Sequence, residues 1–100
     1  MVSEKEEPLE KTTEKKLTKA VREMEGIALK FVSPGFSGVP DRLVLLPGSK
    51  IAFVELKSHG KHLQPLQVKR KKQLEALGFS VYCIDHLDQI GGVLDEIRAS

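Results

Sequence analysis

The sequence predicts an α/β fold, a mixed β-sheet flanked by helices in the order α-β-β-β-α-β-α. Three observations lead there. Short, nearly continuous apolar runs alternate with stretches of helical spacing. Compact turn signals separate them, among them Pro34-Gly35 and Pro47-Gly48-Ser49. At 100 residues there is room for one domain and its single core.

Residues 1–11 are acidic and aperiodic, with Glu4, Glu6, Glu7 and Glu10 against Lys5, and are expected to form a flexible tail before a domain over 12–100. Thr12 or Thr13 is suited to cap a first helix that runs to about Glu25. Leu17, Ala20, Val21 and Met24 give it an apolar stripe, and Gly26 ends it. Ile27 to Val32 reads as a strand and Ser33 to Pro40 as a loop. Leu43 to Leu46 and Ile51 to Leu56 form a hairpin about Pro47-Gly48-Ser49. Pro65 opens a second helix that runs to about Leu77, where Gly78 suits its C-terminal cap. Phe79 to Ile84 is a fourth strand, and a last helix spans about Leu87 to Arg98, with Gly91-Gly92 delaying its start. Strands this apolar are expected where both sheet faces are covered.

Composition narrows the function classes. Hydrophobic residues make up 40% and charged residues 30%, a soluble balance. No apolar run approaches the roughly 18 residues that span a bilayer, and the N-terminus lacks a signal-peptide core, so a cytoplasmic protein away from membranes is expected. Cys83, the lone cysteine, reads as a buried core thiol. The net charge is only +2, but no acid occurs between Glu55 and Glu75, a stretch holding Lys57, Lys61, Lys69, Arg70, Lys71 and Lys72. A phosphate-binding surface and a solvated basic helix face both fit that pattern.

The hairpin carries the chemistry. A turn centred on Gly48 sets Asp41 opposite Glu55, with Lys57 two residues further on the same face. A slip by one residue would turn Asp41 to the other face. Two carboxylates brought together suit a divalent cation with hard oxygen ligands, Mg²⁺ above all, while an Asp–Lys–Glu ion-pair cluster explains the same residues. Glu14 continues the stripe of Leu17, Val21 and Met24 toward the sheet, although an acid in a first turn also complements the helix dipole. Gln67 and Arg70 interrupt the second helix's stripe of Leu63, Leu74 and Leu77, so both need polar partners. His59 and His62 lie three apart with no third ligand nearby and do not form a zinc set.

Gly38-Val39-Pro40-Asp41-Arg42, then Phe53-Val54-Glu55-Leu56-Lys57, resembles the PD-(D/E)XK nuclease superfamily. The closer resemblance is to its VRR-NUC family, the virus-type replication and repair nucleases, over about residues 13–90. It includes Glu14, the segment Leu29 to Gly35 and Pro65-Leu66-Gln67. The RecB-like branch carries a Tyr where this chain has Lys71 and fits less well. The resemblance implies a restriction-endonuclease-like core and Mg²⁺-dependent phosphodiester hydrolysis, with Mn²⁺ able to substitute. It implies Asp41, Glu55, the Leu56 carbonyl and Glu14 as metal ligands, Lys57 as the residue that positions water, and Gln67 beside them. Lys30, Lys61, Arg70 and Lys71 are the expected DNA contacts. Family likeness further implies a homodimer acting on branched DNA such as four-way junctions. A non-catalytic nucleic-acid-binding module with the same fold, and a scaffold protein using its acidic tail, are the competing readings.

Overall fold

In the computed structural model the backbone of residues 2–100 and the side chains of residues 11–100 are described. Seven elements follow in order: α1 (Val2–Glu23), β1 (Ile27–Lys30), β2 (Arg42–Leu46), β3 (Lys50–Leu56), α2 (Pro65–Ala76), β4 (Ser80–Ile84) and α3 (Gln89–Ala99). The order is the one that the sequence predicts. The first helix differs at its start, because its span begins at Val2 and not at a cap on Thr12 or Thr13. The acidic side chains of the expected 1–11 tail, as far as residue 10, lie outside the described residues. α3 starts at Gln89, slightly later than the expected Leu87, and the Gly91-Gly92 pair sits inside it. Helical packing of Ile90, Leu94 and Ile97 on the core outweighs the roughly 1 kcal/mol that each Gly costs.

The four strands form one sheet in the order β1-β2-β3-β4. β1–β2 and β2–β3 are antiparallel, and β3–β4 is parallel, with α2 as the crossover. Gly48 and Ser49 both take positive φ in the hairpin turn, a conformation that Gly adopts without steric cost. At the same end of β2, Gly26 lets the chain pass from α1 into β1. A Cβ there would lie 2.3 Å from the Leu45 carbonyl oxygen and 2.7 Å from Leu46 Cδ2.

The two sheet faces are unequal. α1 and α3 pack against each other and cover one face. Leu17 and Val21 of α1, Val44, Leu46, Ala52, Val54, Leu56 and Ile84 of the sheet, and Ile90, Leu94 and Ile97 of α3 form the core there. The α1 stripe is thus placed as its spacing predicts. The opposite face has only α2, which packs on β4 and buries none of its residues. The expected buried stripe of α2 is a half-buried one, and Leu77 is exposed. On this side β1 and β2 carry apolar residues that no helix covers, Ile27 and Leu29 being 56% and 43% exposed. Apolar strands therefore did not mean two covered faces within one chain. The aromatic rings of Phe31, Phe53 and Phe79 partly fill the gap, with centroids 5.5 and 5.8 Å apart along the row.

Candidate active site

The hairpin register follows the turn at Gly48. Leu46 pairs with Lys50 and Arg42 with Val54, so the next pair along is Asp41 with Glu55. Two backbone N–H groups, those of Asp41 and Leu56, fix these carboxylates. The Asp41 N–H donates to Glu55 Oε1 and the Leu56 N–H donates to Asp41 Oδ1, both at 3.2 Å. The Phe31 N–H donates to the Asp41 carbonyl at 2.8 Å, which closes the loop between β1 and β2. Asp41 is therefore held at both its main chain and its side chain.

Glu55 is 7% exposed, and a carboxylate so buried needs compensation. Gln67 supplies part of it. Its Nε2 donates to Glu55 Oε2 at 3.0 Å, while its Oε1 accepts the Gln64 N–H at 2.8 Å. One side chain thus satisfies the start of α2 and ties that helix to the acid. Lys57 supplies the rest, with its Nζ 3.5 Å from Glu55 Oε2. The Lys57 N–H donates to Ile84 on β4, so the Leu56 carbonyl of the same trans peptide points the other way, toward Asp41. Asp41, Glu55, Lys57, Gln67 and the Leu56 carbonyl therefore meet at one end of the sheet. This is where the parallel strands β3 and β4 terminate, the usual ligand-binding end of such a pair.

Glu14 is placed elsewhere. It forms an ion pair with Arg42, whose side chain points to the α1 face because it follows Asp41 by one residue. The Arg42 side chain is 11% exposed, burial lowers its pKa, and its Nε is the buried polar side-chain atom without a hydrogen-bond partner among the described residues. Such an Arg needs the Glu14 charge. No group of three or more His, Cys, Asp or Glu side chains is gathered for a metal among the described residues, so Glu14 does not join Asp41 and Glu55 as a third acid.

The expected DNA contacts divide in two. Lys30 and Lys61 are exposed, Lys30 at the site end of β1 opposite Arg42. Lys71 pairs with Glu75 at 2.8 Å and lines a shallow cleft with Gly38, Glu55 and Gln67. Arg70 is already engaged. Its Nε donates to the Ser37 carbonyl at 2.7 Å, Nη1 donates to Gln73 Oε1, and the guanidinium stacks 3.7 Å over the Phe36 ring. The partner that its stripe position demanded is the 33–40 loop. Cys83, paired with Glu55 in the β3–β4 register, is half-buried and not a fully buried thiol. Burial, with Asp85 and Glu55 nearby, pushes its pKa up, so it is a poor nucleophile.

A second concavity, of about 190 Å³, opens on the other side of Lys57. Its walls are the loop after β3, with Ser58 and His59, and the loop after β4, with Asp85, His86 and Leu87; Thr13 of α1 adds to them. The two imidazole rings meet edge to face, 5.1 Å apart. Sequence reading missed Asp85 and His86, which lie far from His59 along the chain. The available signal was topological, since loops that follow adjacent parallel strands emerge side by side.

No protein-family model matches the chain. A curated protein of Acyrthosiphon pisum secondary endosymbiont phage 1, described as "Putative nuclease p44", is 51% identical over 79 residues, which are 79% of this chain and 85% of that one. A solved structure described as a VRR-NUC domain superposes with a TM-score of 0.81 at 26% identity, covering 86% of this chain and 94% of that one. The chain belongs to the VRR-NUC family of the PD-(D/E)XK nuclease superfamily. Of the residues that carry the sequence resemblance, Asp41, Glu55, Lys57 and Gln67 are gathered at this end of the sheet, while Glu14 pairs with Arg42. The VRR-NUC fold accounts for the α-β-β-β-α-β-α order and the mixed sheet. Among the described residues, no helix is long and apolar enough to cross a membrane.

Proposed function

We propose that this chain is a Mg²⁺-dependent DNA endonuclease that hydrolyses phosphodiester bonds of branched DNA. The observation that carries the reading is the pair Asp41–Glu55, each fixed to the other's strand by a backbone hydrogen bond and flanked by Lys57 and Gln67. The donor set fits the metal. It consists of hard oxygens only, and Mg²⁺ is usually held by one or two carboxylates, with waters and phosphate oxygens filling the remaining positions. Asp41, Glu55 and the Leu56 carbonyl would hold it, while Glu14 keeps Arg42 neutralised on the other face. A bound Mg²⁺ supplies a water of lowered pKa and Lewis-acid polarisation of the phosphate.

The protein's own residues do the rest. Glu55 is kept in one orientation by Gln67 and by the Asp41 N–H. Lys57 places a mobile positive charge beside the two acids, where charge develops on the phosphoryl oxygens. Lys30 and Lys61 offer exposed ammonium groups to the backbone on either side, with Lys71 in the cleft. Cleavage of linear, flap, splayed and four-way DNA with Mg²⁺ or Mn²⁺ tests the reading. Cutting is expected to be strongest on four-way DNA, and a chain that cuts none of the four is a binding module instead.

Gln67 is a positioning residue in this scheme. Gln67→Ala is expected to weaken Mn²⁺ binding, measured by calorimetry, by about 10- to 100-fold, as for other partners of metal ligands. It should also lower the melting temperature slightly, since the Gln64 N–H loses its acceptor. Unchanged Mn²⁺ affinity would deny Gln67 that role.

The uncovered sheet face supports a homodimer. Ile27, Leu29, Ile51 and Phe79 leave an apolar surface on the α2 side of a small chain, and a two-fold axis pairs such a surface with itself. Two sites on two strands then suit a branched substrate. Leu29→Glu is expected to convert a dimer to a monomer in size-exclusion chromatography with light scattering. A wild-type chain that runs as a monomer at micromolar concentration would remove the dimer.

A further inference from the structure

The concavity beside Lys57 has no part in the chemistry described above, yet it shares a wall with it. At about 190 Å³ it is smaller than the roughly 300–1,000 Å³ of drug-sized sites, so it suits one planar ring system and not a duplex. His59 and His86 form one side through their edge-to-face contact, and Leu87 adds an apolar surface. Imidazole rings are among the surfaces on which unstacked bases lie. We infer that this pocket receives one unpaired nucleobase flanking the scissile phosphate, so that the preferred substrate carries an unstacked nucleotide at the point of cleavage. The inference rests on the nuclease reading of Asp41, Glu55 and Lys57, because Lys57 is the residue common to both sites.

The polar groups of the pocket include an acceptor that a base can use, beside the Lys57 ammonium shared with the acids. Asp85 lies in its wall as a fixed anion. The Gly60 N–H donates to Asp85 Oδ2 at 3.1 Å, and this bond holds the carboxyl below its ordinary pKa. A carboxylate in the wall can accept a hydrogen bond from an exocyclic amino group. His86 is held by its own loop, with the Asp88 N–H donating to His86 Nδ1 at 3.1 Å. The Asp88 carboxylate lies 3.5 Å from the same nitrogen, so the ring is held along that edge. Gln89 secures the same loop by accepting both the Asp85 and the His86 N–H groups. The wall is therefore ordered before any base enters.

The test compares three DNA duplexes in the absence of divalent metal, so that binding is read without cleavage. One carries a single unpaired 2-aminopurine, one an abasic nucleotide at that position, and one is fully paired. The wild-type chain is expected to bind the unpaired base about tenfold more tightly than the abasic duplex, a typical effect of stacking one base on protein rings, with a change in 2-aminopurine fluorescence. His59→Ala combined with His86→Ala is expected to bring that ratio close to one. Equal affinity of the wild-type chain for the base and the abasic duplex would assign the pocket to the sugar–phosphate backbone and overturn the inference. That comparison needs no variant, so it stands even if the double variant fails to fold. Cleavage is scored separately with Mg²⁺. Base preference without cleavage would sink the nuclease reading alone, and cleavage without base preference would sink the pocket alone.

Discussion

Glu55→Gln is expected to reduce DNA cleavage by about a thousand-fold or more. The substitution keeps the side chain's size and removes its charge. Glu55 is buried, receives the Asp41 N–H and the Gln67 amide, and lies 3.5 Å from Lys57. A neutral amide in that place would offer a weaker oxygen to the cation. Its NH₂ group would also face donors that now meet a carboxylate. Losing the Lewis-acid contribution costs several kcal/mol, and each 1.36 kcal/mol is about tenfold in rate. Lys57→Ala should cost about 10²–10³-fold, as when one preorganised electrostatic group is removed. The two variants differ in a second measurement. Mn²⁺ binding by calorimetry should be lost in Glu55→Gln and kept in Lys57→Ala. If both variants cleave as the wild type does, Asp41, Glu55 and Lys57 form a structural ion cluster and the active site is elsewhere.

Leu17→Ala is expected to be the most damaging change to stability away from the site. Leu17 is fully buried where α1 meets the sheet and α3, in a core that occupies only one sheet face. Removing a buried Leu side chain costs about 2–5 kcal/mol in transfer energy and residual cavity. In a domain of this size, each 1 kcal/mol lowers the melting midpoint by about 4–8 °C. A fall of about 10 °C or more in a thermal melt is the expected reading. With the α2 face contributing little buried surface, that loss is a large part of a total stability of about 5–15 kcal/mol. A fall under about 3 °C would mean that α1 is not integral to the core. The lower part of the expected range would also fit a dimer whose interface carries some of the stability.

The two predictions draw on different parts of the sequence. The α1 stripe was legible because Leu17, Val21 and Met24 repeat at helical spacing, and burial on one side is the direct consequence of that period. The hairpin was legible because a short turn with Gly at its centre fixes register, and register fixes which residues face each other. Asp41 opposite Glu55 follows from Gly48 alone. Gln67 was legible as a polar interruption in an apolar stripe, a conflict that burial resolves only through a partner.

Other features depend on contacts that no local pattern encodes. Glu14 shares the α1 stripe with core residues, yet its partner is Arg42, which the strand's alternation turns to the α1 face. Arg70 interrupts the same stripe as Gln67, but the loop returning from β1 reaches it first, through Ser37 and Phe36. Equal sequence signals thus led to the Glu55 carboxylate in one case and to a loop clasp in the other. The difference lies in which segment comes within hydrogen-bond reach. The extent of the helix cover was also hidden. Apolar strands imply that a face needs covering, but they do not say whether a helix or a second copy covers it.

The sequence by itself determined the order of elements, the hairpin register and the pairing of Asp41 with Glu55 and Lys57, because periodicity and turn geometry act over a few residues. The tertiary structure decided that Glu14 serves Arg42, that one sheet face stays open, and that His59 meets His86 beside Lys57. Those outcomes required the parallel β3–β4 pair to bring two distant loops together, and a crossover's landing place depends on how the whole chain packs.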